Sequence, residues 1–597
     1  MTLLRYQSVD VSVTDTTTTH YFNVESGTVA FDEGWTPYLQ ANLTLTLPML
    51  DGRPPSLDTS ALEALDPRNK LRMLLVATLY EYDEATGTLT SQDAVSASLA
   101  ISSRTIDWKA GTVAVTLTTD EFSLQTEANR TTSSISYRAH QSSLIAVVNA
   151  VLADIGTTAT LGASSVDADV TTAQELTNLV PDPRTQSSAS VTDVFGTSSK
   201  NANNNTSVSI NPSGKFQQAT WAAATTGPGL WFCGNTSNTV SVTGGILFAA
   251  LSIDCNAAVT ANITVDQFDS TGHEIASTVI CSQAIASGTW TRLSGTLALR
   301  SNTAAICVAA TASGARAAGF QMNISSMLVC VNPLGAYETD DTTELAYWDG
   351  TTTANEYYTY SWDGTANAST STRTPVVDRS PDSLAVSPGE SYWDMLDPVL
   401  AAAGLSLFCD ENGVWRLVDG SSYSAPGTAI VQQSNATALQ DAVTLTDPTT
   451  VYNSVVVKYT WTDVNGITQT RYDAAGDGSP TQLVEFDSRP YPGPGAAAYI
   501  LSKGEGRGRV MTTTALNDFA VRPYMGARIV APYTQTQTGI VSAVRFDLAS
   551  AEMSLTTRGL IDTPAGAWTL APDTVTWDDG DTTTTWDALE DDFSNLT

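Results

Sequence analysis

Few residues in this chain have both the type and the spacing to do chemistry. Its three histidines, His20, His140 and His273, lie far apart in sequence. Five of its six cysteines, Cys233, Cys255, Cys281, Cys307 and Cys330, are spaced by 22, 26, 26 and 23 residues, and Cys409 stands alone. That spacing fits no zinc motif. The cysteines sit in apolar stretches such as Ala304-Ala-Ile-Cys307-Val, which predicts buried, reduced thiols behaving as small hydrophobes. A thiol–imidazole peptidase would need one of these cysteines beside one of these histidines, and no local signature pairs them. No glycine-rich dinucleotide loop, phosphate-binding loop or HExxH helix occurs, so no cofactor and no catalytic metal is expected. Two of the 62 carboxylates would suffice for glycoside hydrolysis, but no context singles out a pair. The reading is therefore a non-enzyme.

The elements that would position any such residue are mostly strands. Short Val/Thr/Tyr runs separated by Gly, Asn and Asp recur throughout the 597 residues. The predicted fold class is mainly β with a few helices, in several domains: β-barrel or sandwich units plus an inserted β-sandwich. Strands are predicted in Gly27–Asp32, Asn42–Leu47 and Met73–Tyr80, with a hairpin over Asp107–Leu117 turning at Lys109, Ala110 and Gly111. A short helix is expected at Ala61–Leu65. Longer ones are expected at Ser142–Ile155, stopped by Gly156, and at Ser391–Ala403, stopped by Gly404 and interrupted or kinked at Pro398. Gly493–Ser502 adds a further helix. The helix–glycine–strand order thus occurs twice, which reads as two similar halves.

Charge divides the chain. The net charge is -34, from 62 acidic and 28 basic residues, yet Leu176–Gly335 holds six of each and is neutral. So sharp a break predicts a separately folded insert. The boundaries read as 1–165, a β-rich domain; 166–335, the insert; 336–385, a connector; 386–565, a second α+β domain; and 566–597, an acidic tail. The connector repeats Trp-Asp-Gly at Trp348–Gly350 and Trp362–Gly364, read as a hairpin whose Asp-Gly pairs supply the left-handed turn residues. The tail from Ala571 carries eight carboxylates and no Lys or Arg, with Trp577 and Trp586 as anchors. The acidic balance argues against binding nucleic acid by phosphate neutralisation, and is compatible with a wall that DNA slides past. Neither a signal peptide nor a membrane-spanning run is read from the sequence.

The stretches Ser391–Arg416, Asn453-Ser-Val-Val-Val457 and Arg509–Gly559, with Ala346–Arg373, resemble the baseplate hub, or minor tail, proteins of siphophages infecting actinobacteria. The resemblance covers 1–165 and 336–597. It implies a virion protein at the tail tip, a homotrimeric hub closing the tail tube beside the tape-measure protein, the distal tail ring and other minor tail proteins, with DNA passing unbound. The insert resembles jelly-roll carbohydrate-binding modules through Asn178-Leu-Val-Pro-Asp-Pro183, Gly288–Ser294 and Gly319–Cys330. That resemblance implies contact with a host-surface glycan by aromatic stacking and polar side chains. Trp290 matches a core position. Trp221 and Trp231, in a Gly/Pro/Asn-rich region, are the platform candidates, and Asp266, Gln267 and His273 the polar ones. The competing reading is a tail-associated hydrolase of glycan or peptidoglycan; a weaker one is a secreted glycan-binding protein.

Overall fold

The strands form where apolar and polar residues alternate. Over Leu39–Thr46 the side chains of Leu39, Ala41, Leu43 and Leu45 are buried, while the residues between them are more exposed. In the computed structural model, six such strands pair in the order Leu3–Thr14, Arg72–Asp83, Leu89–Asp107, Thr112–Thr118, Leu39–Thr46 and Thr19–Asp32. The first also pairs with the last, through Asp10–Thr14 and Thr19–Asn23, and closes a barrel. The structure describes residues 3–52, 56–157, 161–186, 193–194, 198–204, 215–334, 345–443, 452–463, 465–504, 509–564, 567 and 570. The acidic tail and its Trp577 and Trp586 lie outside the described residues.

The strand Thr19–Asp32 does two jobs. Its first part closes the barrel, and Thr28–Asp32 pairs with Ala543–Asp547 from the far end of the chain. The sheet then continues through Glu552–Thr563, Arg509–Leu516 and Ala436–Val443, with Met525–Val530 and Ala425–Gln432 beside Thr536–Asp547. Twelve strands thus share one sheet, and one hydrophobic core runs from Val11 to Leu560. The segments read from sequence as two separate domains, 1–165 and 386–565, contribute to that common core. Pairing at a separation of some 500 residues leaves no periodic trace in a sequence, so reading could not reveal it. Inside this joint Arg558 clamps Glu33: its Nε donates to Oε1 at 2.6 Å and its Nη2 to Oε2 at 3.1 Å, both side chains buried.

Five helices are described: α1 (Thr59–Ala64), α2 (Glu121–Thr126), α3 (Leu144–Asp154), α4 (Tyr392–Ala402) and α5 (Ala496–Gly504). Ser143 and Ser391 cap α3 and α4 by accepting from the Ala146 and Asp394 amides. Gly156 and Gly404 follow these two helices at positive φ, as expected of stop residues. Pro398 lies buried inside α4, which continues to Ala402, so the expected interruption is absent. The two helix–glycine units do not head separate halves. Both pack with the hairpin Leu405–Cys409/Trp415–Asp419 into one cluster that includes Val148, Leu152, Leu396 and Trp415. A three-stranded sheet (Thr468–Gly476, Ser454–Thr462, Thr481–Asp487) packs on α5. Asp473 accepts from the Gly495 and Ala497 amides at the start of that helix. No helix among the described residues is long and apolar enough to cross a membrane.

The neutral segment forms a two-sheet sandwich. One sheet runs Ser198–Asn204, Lys215–Trp221, Phe320–Val331, Ile246–Cys255, Thr291–Ala298. The other runs Glu274–Ile285, Val259–Phe268, Ala305–Ala312, Gly229–Cys233, Asp193–Val194, with Val240–Ser241 beside Ala305–Ala312. Their shared core draws its buried residues from Val180 to Val329 alone. All six cysteines are unbridged, and only Cys281 is not fully buried. Trp290, half-buried, stacks edge-on against Phe216 at 5.5 Å.

The connector is less a free hairpin than an elbow. Only the second Trp-Asp-Gly unit joins a hairpin, where Tyr358–Trp362 pairs with Ser371–Pro375, which in turn pairs with Leu176–Asn178. Neither Gly350 nor Gly364 has positive φ; in the second turn Asn367 takes that conformation at φ 58°. Gly350 is needed for space instead, since a Cβ there would lie 2.4 Å from Trp362 Cγ. The Arg373 guanidinium lies between the Trp348 and Tyr358 rings, 4.6 and 4.5 Å from their centroids. Leu345 and Trp348 cover Phe248, Ala250, Leu328 and Cys330 on the outer face of the five-stranded sheet. Asn178 ties the joint: its Nδ2 donates to the Met327 and Trp348 carbonyls and its Oδ1 accepts from the Val180 and Val329 amides.

Candidate functional site

The candidate residues for ligand contact all lie in or on the sandwich, and the sheet pleat sorts them. Along Val259–Phe268 the residues Val259, Ala261, Ile263 and Val265 face the shared core. The alternate side chains Asn262, Thr264 and Asp266 therefore face outward. On the neighbouring strand Ala305–Ala312 the outward set is Ala305, Cys307, Ala309 and Thr311, by the same alternation.

This outer face joins a polar row to an apolar one. Asn262 Nδ2 donates to Thr311 Oγ1 at 3.3 Å and Ser313 Oγ at 3.0 Å, and the hydroxyls of Thr264 and Thr311 are 3.5 Å apart. Asp266 accepts from Ser277 Oγ at 2.5 Å and from Cys307 Sγ at 3.9 Å. Burial raises the Asp266 carboxyl above its usual range, an effect opposed by those two donors. Burial, with the Asp266 charge beside it, likewise pushes the Cys307 thiol up. Trp231, Phe268, Cys307 and Ala309 make the apolar row.

Set against the sequence candidates, this geometry redistributes the roles. Trp221 is not a platform. It is fully buried between the sheets against Phe320, at 5.6 Å between centroids, because its strand turns it inward. Trp231 does lie on the outer face, near Asp266, but with 4 % of its surface exposed it offers no free ring face for stacking. Asp266 is 8 % exposed. Gln267 is buried and holds a loop, its Oε1 accepting from the Arg300 amide and Thr303 Oγ1. His273 is exposed at the end of a tight turn whose Asp269 caps the Thr271 and His273 amides. The structure places Trp231 and Asp266 on the same outer face, linked through Cys307, and leaves Trp221, Gln267 and His273 apart from them. The row Asn262, Thr264, Thr311 was missed, although polar residues at every second position of Val259–Asp266 carry its signal. Among the described residues no group of three or more His, Cys, Asp or Glu side chains is placed to hold a metal ion.

No protein-family profile and no curated protein matches the sequence. Several solved structures resemble the chain in part. A tail protein from Neisseria meningitidis MC58 aligns over 92 % of this chain and 96 % of its own, at 7 % identity and TM-score 0.34. The 43 kDa tail protein of prophage MuSo2 from Shewanella oneidensis aligns over the same shares at 6 % identity and TM-score 0.33. The CBM22-1 xylan-binding domain of Paenibacillus barcinonensis Xyn10C aligns over 27 % of this chain and 98 % of its own, at 12 % identity and TM-score 0.21. The chain spans only 30 % of a Clostridium thermocellum xylanase and 21 % of the bacteriophage CBA120 tailspike protein that it also matches. All these TM-scores lie below 0.5.

Proposed function

We propose that the protein is a structural component of a phage tail tip: a hub that closes the tail tube, lets DNA pass and carries the sandwich outward to the host surface. The observation that carries this reading is the division of cores. The two ends of the chain combine in a single twelve-stranded sheet, while the sandwich core is drawn from residues 180–329 alone. A scaffold so built keeps its own fold while presenting a separately cored module, and the elbow at Trp348–Arg373 packs against the outer face of that module. The resemblance of the scaffold to hub proteins of siphophages infecting actinobacteria supports a position at the tail end, in a homotrimer beside the tape-measure protein, the distal tail ring and other minor tail proteins.

Charge supports the route for DNA. Outside residues 176–335 the chain carries 56 acidic residues (62 less six) and 22 basic ones (28 less six). A ring of such surfaces repels phosphate, so a passing duplex forms no contacts that ejection would have to break. For the sandwich, the half-buried Thr264 and Thr311 on the outer face offer hydroxyls of the kind that a glycan's hydroxyls require, with the buried Asn262 and Asp266 holding the row behind them. Incubating the purified protein with actinobacterial cell wall tests the reading against its competitor. Retention of the protein on the wall without release of reducing ends or peptides is expected, whereas release would establish the hydrolase.

A further inference from the structure

Among the described residues of this strongly acidic chain, several cations gather along one ribbon of the surface. Arg68, Lys70 and Arg72 follow one another along the segment entering the strand Arg72–Asp83, and Arg130 joins them from beyond α2. Ion pairs hold the group in three clusters: Arg68 and Arg104 on Asp66, Arg72 on Asp120, Lys70 and Arg130 on Glu127. Five cations thus share three carboxylates. The side chains of Arg68, Lys70 and Arg130 are 88 %, 82 % and 78 % exposed, with Lys70 in the left-handed conformation at φ 52°. A cleft opens beside them, lined by Lys70, Arg130, Asn129 and Tyr392 and, on its acidic side, by Glu127 and Asp154.

The ribbon adjoins exposed apolar surface. Leu74 leaves the barrel on the same face as Arg72, two residues on, and is 44 % exposed. Ser12 pairs with both Leu74 and Tyr21, which places Tyr21, 78 % exposed, one strand beyond on that face. Arginine beside tyrosine and leucine is the composition of a protein interface rather than of a site for a bare polyanion.

We infer that this surface, Arg68, Lys70, Arg72 and Arg130 with Tyr21 and Leu74, receives an acidic face of a second copy of the chain. Charge complementarity selects that occupant. With the ribbon's five cations and three carboxylates set aside, the chain retains 59 acidic and 23 basic residues, an excess that lies wholly outside the neutral sandwich, so the scaffolds of two copies repel one another over most of the rest of their surface. A heterologous contact of this kind, a basic patch on one copy against an acidic face on the next, closes a ring when the rotation from copy to copy divides a full turn, and otherwise builds a filament. The inference rests on the ring-forming reading proposed above and specifies where the ring is held.

Sedimentation velocity of the full chain tests it at about 0.1 M and about 1 M NaCl, between which the screening length falls from roughly 10 Å to roughly 3 Å. The wild type is expected to associate at low salt and to weaken at least about tenfold at high salt. The triple variant Arg68→Glu/Lys70→Glu/Arg130→Glu is expected to sediment as a monomer under both conditions, with a circular dichroism spectrum matching the wild type. Association of the triple variant equal to the wild type would overturn this contact and leave the hub reading standing on another interface. A wild type that stays monomeric at low salt, or that binds polyglutamate without binding itself, would overturn the contact and the unaided ring together.

Discussion

Replacing Arg558 with methionine should open the seam that joins the two ends of the chain. Both nitrogens of the Arg558 fork are engaged by Glu33, 525 residues away, at 2.6 and 3.1 Å, and the Glu33 side chain is 1 % exposed. Loss of the arginine leaves that carboxylate buried without its counter-charge, which costs about 3–5 kcal/mol. The double variant Glu33→Met/Arg558→Met removes both charges, and exchange of such a pair for apolar groups is neutral or stabilising by about 1–4 kcal/mol. Hydrogen exchange of the amides in Thr28–Asp32 and Ala543–Asp547 reads the seam directly, because these strands pair across it. At roughly 1.4 kcal/mol per factor of ten, Arg558→Met should speed their exchange by about two to three and a half orders of magnitude. The double variant should restore protection. Unchanged exchange in Arg558→Met, or a double variant worse than the single, would refute the argument that one sheet unites the chain ends.

Further outcomes follow from other buried groups. Glu121 accepts from the Tyr38 and Cys409 amides while its Oε2 meets no partner among the described residues, and burial pushes its carboxyl from 4.5 up to about 6. A carboxyl raised on folding binds its proton more tightly in the native state. Stability should therefore rise by about 2 kcal/mol as pH falls from 7 through 6 towards 4.5, and Glu121→Gln should abolish that increment in denaturant titrations. A fragment of residues 172–378 should be monomeric, whereas 176–335 alone should self-associate in light scattering, since it bares Phe248, Ala250, Leu328 and Cys330. Gly350→Ala should lower the melting temperature of the longer fragment by an amount equivalent to about 1–3 kcal/mol, because its Cβ overlaps the Trp362 ring. Trp221→Ala should cost about 3–5 kcal/mol of sandwich stability, measured by urea unfolding of the same fragment, rather than act on glycan contact alone.

Local features were legible in the sequence because local physics fixes them. Glycine stops and apolar spacing place α3 and α4 within two residues of the expected ends. The hairpin turn at Asp107 is as read, with its carboxylate capping the Lys109 and Ala110 amides. What failed depends on partners distant in sequence. Trp221 and Trp231 sit in similar Gly-rich surroundings, and only strand pairing decides that one turns into the core and the other outward. The Trp-Asp-Gly units look like turn formers, yet the first serves as a packing plate whose glycine admits a ring from the second. Charge bias marked the sandwich, since a neutral module in an acidic chain differs in composition. Nothing in composition marked that the flanking segments share a core.

The most direct measurement is a cryo-EM map of the assembled particle. The account predicts the twelve-stranded sheets of several copies encircling the axis at the end of the tail tube, with Asp and Glu side chains towards the passage and each sandwich projecting outward. A chain found elsewhere in the particle, a channel wall lined by Lys and Arg, or a sandwich that plugs the axis would contradict it.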